Sequence, residues 1–334
     1  MLNNILVPLD GSAASEAALP FAGALAVRAS ATLSLVRAVP GRGLSHDAAG
    51  QQRAVSEAED YLAGLAATLE AAGLRVHTGV PFGGSPATWI LEEIELRHAS
   101  LVVMATHDRV GPGRWLHGSV AEAVVSRTAT PVLLVREAEE LPPASRFDQQ
   151  EPVLVVPLDG SELAESALPI ARELAHLVAA RVVLVGVVPP VGHLIAVEGG
   201  AVPYGDAAHD RAEIDAQAYL EGAIARLGAD AVAVETCVRT GEPALEIARI
   251  ATDYLAAAVV MATHGRTGLP RTILGSVAGG VLHRGTTPVL LVHPAELRPA
   301  EEPLVPRGAG RCVLNQDRLE ATLAATSRAV PRRR

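Results

Sequence analysis

Lysine is absent from all 334 residues, so every one of the 28 cationic side chains counted as Lys or Arg is an arginine. A Walker-type phosphate loop needs its Lys to reach the terminal phosphates, and Schiff-base chemistry needs a Lys amine, so neither can run on this chain's own residues. Codon bias is the simplest cause of that gap. Aromatic residues are scarce at 3%. The core must therefore come from Val, Leu, Ile and Ala, which suits parallel strands covered by helices on both faces better than a β-sandwich. Cysteine is limited to Cys237 and Cys312, which form no C-x-x-C or metal-ligand spacing. That usage fits a reducing cytoplasm, with Cys237 packing as a small hydrophobe. No segment approaches the roughly 18 consecutive apolar residues of a membrane span, and the start MLNNILVPLDGS carries neither a basic leader nor a long apolar run. A soluble, cytoplasmic protein without a membrane partner is expected. A net charge of -9 argues against a nucleic-acid partner as well.

What the sequence does contain is repeated. VPLDGSAASEAALP begins at Val7 and VPLDGSELAESALP at Val156, an offset of 149; MATHDRVGPGRWLHGSV begins at Met104 and MATHGRTGLPRTILGSV at Met261, an offset of 157. The second copy thus gains 8 residues between the anchors, and the Gly/Pro-containing stretch from Pro189 to Asp206 is where they fit. Each copy closes on TPVLLV, at Thr130 to Val135 and Thr287 to Val292. A two-copy array of this period is a domain duplication, because solenoid repeats run about 20 to 50 residues. Short β-branched runs alternate with longer amphipathic stretches, the pattern of βαβ units. Strands are expected near Asn4 to Leu9, Thr32 to Val39, Leu74 to Val80, Leu101 to Ala105 and Pro131 to Val135. In the second copy they fall near Val153 to Leu158, Arg181 to Val188, Ala231 to Val238, Ala257 to Ala262 and Pro288 to Val292. Right-handed crossovers then give an α/β fold of two tandem, doubly wound, five-stranded parallel-sheet domains. The boundaries follow as 2–137 and 151–294, with a linker at 138–150 and a Pro/Arg-rich tail at 295–334 expected to be disordered or one loose helix.

In an open parallel sheet, ligands bind beyond the carboxyl ends of the strands where strand order reverses. PLDGS puts Asp10 and Asp159 at such ends, with Gly11 and Gly160 permitting the turn. Each Asp, with Ser12 or Ser161, could equally do no more than cap the next helix. The second anchor says more. After the fourth strand comes ATHGRTGLPRTIL, and then Gly275-Ser276-Val277 opens a helix, exposing backbone N–H groups and a positive dipole end that accept phosphate without Lys. Gly265 would let the loop backbone close over the phosphates, and Arg266 could add a charge-assisted contact or be solvated. Ser276 also reads as an ordinary N-cap, a role compatible with phosphate. His107 and His264 lack a neighbouring nucleophile or a metal spacing, so structural loop roles are favoured. The terminal Arg332, Arg333 and Arg334 read as a solvated basic run. No H-E-x-x-H, G-x-S-x-G or paired-acid motif occurs, so no catalytic residues and no metal site are assigned.

The order PLDGS, MATHGRTG, GSV, TPVLLV resembles the universal stress protein family in its tandem form, across about residues 2 to 294. Members of that family that bind ATP carry G-x-x-G, nine residues, then G-S or G-T. In the second copy Ala262, Gly265, Gly275 and Ser276 stand at those positions, with only the first glycine replaced. In the first copy they are Ala105, Asp108, Gly118 and Ser119, with two of three glycines lost. The resemblance implies that Pro157, Asp159, Val187 and Met261 line the adenosine side, with Pro8, Asp10, Ala38 and Met104 as first-copy counterparts. Gly160, His264, Arg266 and Val277 complete the second-copy set, and Val120 follows Ser119 in the weaker first-copy set. It implies a regulatory ATP-binding protein of stress response, with Mg2+ as a candidate companion ion. An ATP-hydrolysing or phosphotransfer enzyme and a nucleotide-independent interaction module stay open. The copies should join as an intramolecular pseudo-dimer, their last strands pairing antiparallel so that neither remains a bare edge; a homodimer is a further option. Nucleotide should sit mainly in the second copy, because Asp108 puts a Cβ and a negative charge where Gly265 allows close approach.

Overall fold

The computed structural model describes residues 2–40, 48–106, 119–136, 146–190, 194–197, 200–203, 206–228, 232–263 and 275–294. The first copy runs β1 (Asn4–Pro8), α1 (Ala13–Glu16), α2 (Leu19–Ala29), β2 (Thr32–Val36), α3 (Ala48–Ala71), β3 (Arg75–Gly79), α4 (Pro86–Leu96), β4 (Leu101–Thr106), α5 (Ser119–Val125) and β5 (Val132–Arg136). The second runs β6 (Val153–Pro157), α6 (Glu162–Glu165), α7 (Leu168–Val178), β7 (Arg181–Val188), β8 (Leu194–Val197), β9 (Gly200–Pro203), α8 (Asp206–Leu227), β10 (Val234–Thr240), α9 (Pro243–Asp253), β11 (Ala258–Ala262), α10 (Ser276–Arg284) and β12 (Val289–Val292).

Local chemistry fixes several of these boundaries. Pro20 and Pro169 sit in the first turns of α2 and α7, where their missing N–H costs nothing. The same two helices end on left-handed residues, Ser30 (φ 52°) and Ala179 (φ 53°). The next amides, of Ala31 and Ala180, then donate back to the carbonyls of Ala26 and Ala175 at 2.9 and 2.8 Å. This closure satisfies helix carbonyls and aims the chain straight into β2 and β7.

All ten main strands form one sheet, in the order β10-β7-β6-β11-β12-β5-β4-β1-β2-β3. Within each half the pairing is parallel, and β1 and β6 lie between strands on opposite sides of the crossover reversal. The halves meet where β12 pairs antiparallel with β5, Val289 opposite Leu134, Leu290 opposite Leu133 and Leu291 opposite Val132. Alternate strand residues feed two buried layers that each run through both halves. One layer includes Val7, Leu35, Val103 and Val135 under α2, α3, α7 and α8; the other includes Leu6, Val36, Val102, Leu134 and Val183 under α4, α5, α9 and α10.

Three features depart from the reading of the sequence. The added segment after Pro189 contains an antiparallel pair, β8 and β9, beyond the five strands expected of the second copy. β2 stops at Val36 while Val39 makes an isolated bridge to Phe82, and β10 begins at Val234 and extends to Thr240. Part of the expected linker is packed. Phe147 is fully buried, Arg146 donates to the Ala256 carbonyl at 3.0 Å, and Asp148 lies 3.9 Å from Arg28. Cys237 is buried as expected, and burial pushes its thiol pKa up.

Candidate functional site

β6 and β11 are hydrogen-bonded neighbours, so their carboxyl ends, Pro157 and Ala262, emerge side by side. Beyond Pro157 the chain passes buried Leu158 to exposed Asp159 and then turns at Gly160, whose φ of 86° is a conformation that glycine tolerates best. Asp159 Oδ1 accepts from the Ser161 amide at 3.0 Å and from the Ser161 hydroxyl at 2.6 Å. Ser161 in turn caps α6, its hydroxyl accepting from the Ala164 amide at 3.1 Å. The first copy repeats this: Asp10 Oδ1 takes the Ser12 amide at 2.9 Å and hydroxyl at 2.6 Å, and Gly11 has φ 89°. The capping role is therefore real in both copies. It uses one oxygen of Asp159, and the other has no protein partner among the described residues.

Across the strand order, Val187, Met261 and Val277 all pack against the same buried layer, so the apolar part of the site has one face. Met104 and Val120 do the same in the first copy. Ala262 and Ala105 lean on the opposite layer. Pro8 is half-buried at the end of β1, Ala38 is half-buried two residues beyond β2, and exposed Ser119 opens α5. Gly118, His264, Gly265 and Arg266, with His107 and Asp108, lie outside the described residues.

The N-cap of α10 is Gly275, so Ser276 is the first helical residue and not the cap as expected; no side-chain hydrogen bond closes this end, as at α2, α7 and α9, whereas α4 and α6 carry side-chain caps from Ser85 and Ser161. Gly275 has φ 72° and ψ 143°, and a Cβ added there would meet no atom of the described residues within 4 Å. The first amides of an α-helix have no partner within the helix. At α10 the exposed Ser276 stands at this end. Such an end carries about half a positive charge and binds anions.

A support that the sequence reading missed lies behind the turns. Tyr61 of α3 donates to Glu16 of α1 at 2.8 Å, and Tyr219 of α8 donates to Glu165 of α6 at 2.8 Å. Each ring carries an arginine: Arg37 lies 4.9 Å from the Tyr61 centroid and Arg226 5.2 Å from that of Tyr219. These pairs tie each D-G-S turn to the long helix of its copy. The recurrence of one Tyr and one Glu at matching places in both copies was the available signal. Two surface grooves of about 460 and 480 Å³ lie elsewhere, between α3 and β3 and between α8 and β10. Neither includes a residue of the carboxyl-edge site, so the chemistry and not the size of the hollow identifies the site. Among the described residues no cluster of His, Cys, Asp or Glu could hold a metal ion, and no helix is long and apolar enough to cross a membrane.

Comparison with known proteins agrees with this architecture. The family model described as the universal stress protein family matches residues 1–136 and again 153–293. A universal stress protein of Mycobacterium tuberculosis strain H37Rv is 29% identical over 193 residues, covering 58% of this chain and 61% of that one. The match thus spans about three fifths of the mycobacterial protein's length. One from Methanocaldococcus jannaschii is 32% identical over 148 residues, covering 42% of this chain and 85% of its own. Among solved structures, a universal stress protein of Archaeoglobus fulgidus shares the fold with a TM-score of 0.68 at 22% identity, over 88% of this chain and 99% of that one. The repeated motifs, the doubled α/β architecture and the two family matches lead to one assignment: the chain belongs to the universal stress protein family and carries the family's domain twice.

Proposed function

We propose that this protein is a regulatory ATP-binding protein of stress response, acting in the cytoplasm without catalysing a reaction, and that its nucleotide sits mainly in the second copy. The observation that carries the reading is the open N-terminus of α10 at the carboxyl edge of the sheet, where Gly275 supplies neither a side-chain cap nor a Cβ. The first-turn amides of a helix suit phosphate. The exposed carboxylate of Asp159 would repel phosphate and suits ribose hydroxyls, and half-buried Val187 and buried Met261, which belong to one apolar layer, offer an apolar wall to an adenine ring. Mg2+ would then be held by the phosphates and water rather than by a protein cage.

In this reading residues 2–137 and 151–294 are the two domains, 138–150 join them, and 295–334 form a tail outside the nucleotide site. The antiparallel seam of β5 with β12 supports reading the pair as an intramolecular pseudo-dimer. Mass spectrometry of small molecules released from the purified protein tests the proposal. An adenine nucleotide is expected, and absence of any nucleotide together with no calorimetric response to added ATP would refute it.

A further inference from the structure

Arg136, the last residue of β5, and His293, the first residue after β12, stand at equivalent positions at the repeat offset of 157. Both reach across the seam. Arg136, at the end of β5, donates to the carbonyl of His283 at 2.7 Å and lies 3.4 Å from that of Gly285, at the carboxyl end of α10 in the other half. His293, just after β12, donates through Nε2 to the carbonyl of Val125, the last residue of α5. Each half thus holds the last helix of the other by carbonyls that the helix itself leaves unpaired. A cation is also the favoured charge at a helix carboxyl end.

We infer that Arg136 is a positioning residue for the phosphate site of the second copy, acting from the first copy through α10. This helix has nine residues and spans about 13 Å as a rigid rod. Its sides are fixed by close packing of Gly280 on Ala244 of α9. Arg136 fixes its far end. A shift along the axis at Gly285 is therefore delivered at Ser276, where the first-turn amides would meet phosphate in the proposed reading. In the mirror position the strap is a histidine on a seven-residue helix, so the two halves steady each other unequally.

This inference rests on the second-copy phosphate reading, and the test separates the two. On the full chain, ATP and adenosine are the calorimetric probes, and hydrogen exchange at the α10 amides is followed without ligand. Arg136→Gln should weaken ATP about tenfold, equivalent to about 1.4 kcal/mol, and leave adenosine affinity unchanged, because adenosine has no phosphate to meet α10. The same variant should speed exchange along α10, and Arg136→Lys should recover both properties. An unchanged ATP affinity, or equal losses for ATP and adenosine, overturns the inference. Should the parent protein bind neither probe, the phosphate reading falls on its own. The exchange comparison then decides the strap, with unchanged α10 exchange overturning it and faster exchange upholding it.

Discussion

Gly280 is a buried glycine in the middle of α10, and alanine there sets two known effects against each other. In a helix interior Ala is favoured over Gly by about 1 kcal/mol. The Cβ that Ala would add lies only 2.6 Å from the Cβ of Ala244 on α9 and 3.1 Å from Nη1 of Arg284. Arg284 can swing aside, since its guanidinium is on the surface. Ala244 cannot, because it is 2% exposed and fixed in the first turn of α9 behind Pro243. Carbon atoms in contact settle about 3.5 to 4.0 Å apart, so α10 must retreat from α9 by about 1 Å. Overpacking of this kind costs about 1 to 3 kcal/mol, which outweighs or cancels the helix preference. We expect Gly280→Ala to lower the urea-unfolding free energy by about 0 to 2 kcal/mol, and to weaken ATP more than adenosine because α10 carries the phosphate amides. The companion change Ala244→Gly removes the opposing methyl. A double-mutant cycle should therefore show a favourable coupling of about 0.5 kcal/mol or more. If Gly280→Ala were more stable than the parent by the full helix preference, and additive with Ala244→Gly, the close packing of α9 on α10 would be refuted.

Gly275→Ala meets no atom of the described residues, so its effect among them is that of backbone alone: forcing φ 72° with ψ 143° on a side chain should cost about 1 to 3 kcal/mol, read as a fall in unfolding free energy together with weaker ATP binding. Tyr219 is pushed up to about 12, by burial first and then by its bond to Glu165; Tyr254 is pushed to about 12 by its bond to Glu235 and by burial. Their raised values mean that the stability they confer is complete below pH 10 and is lost as pH rises from 10 toward 12. A phenolate absorbance titration should show both ionising late, and a titration in which all tyrosines ionise near 10 in the folded protein would contradict the two hydrogen bonds. At the other end of the scale, burial lowers His293 below its ordinary value of 6.5, partly offset by the Val125 carbonyl. Its contribution is present above pH 6.5 and is lost as pH falls below it, so His293→Gln should flatten the acid side of the stability profile.

The repeat made most of the fold legible, since Val, Leu and Ile runs fully buried between helices leave little choice but parallel strands. The D-G-S turns were also legible, because Asp, Gly and Ser at a strand end have few local options, and both turns close with the expected cap. The β8 and β9 pair escaped because four-residue strands in an inserted segment carry no alternation to read. Phe147 escaped because a single aromatic in a charged, Pro-containing stretch gives no period, yet it is fully buried in the core. The straps of Arg136 and His293 were invisible for a different reason. They depend on where one half ends relative to the other, which the antiparallel register of β5 with β12 determines.

The central claim is that one copy, the second, holds the nucleotide, and titration calorimetry of ATP into the intact protein and two variants tests it most directly. The parent should bind close to one ATP per chain, Gly265→Asp should abolish that binding, and Asp108→Gly should add weak binding at the first copy. Two equal sites in the parent, or binding that survives Gly265→Asp, would contradict the account.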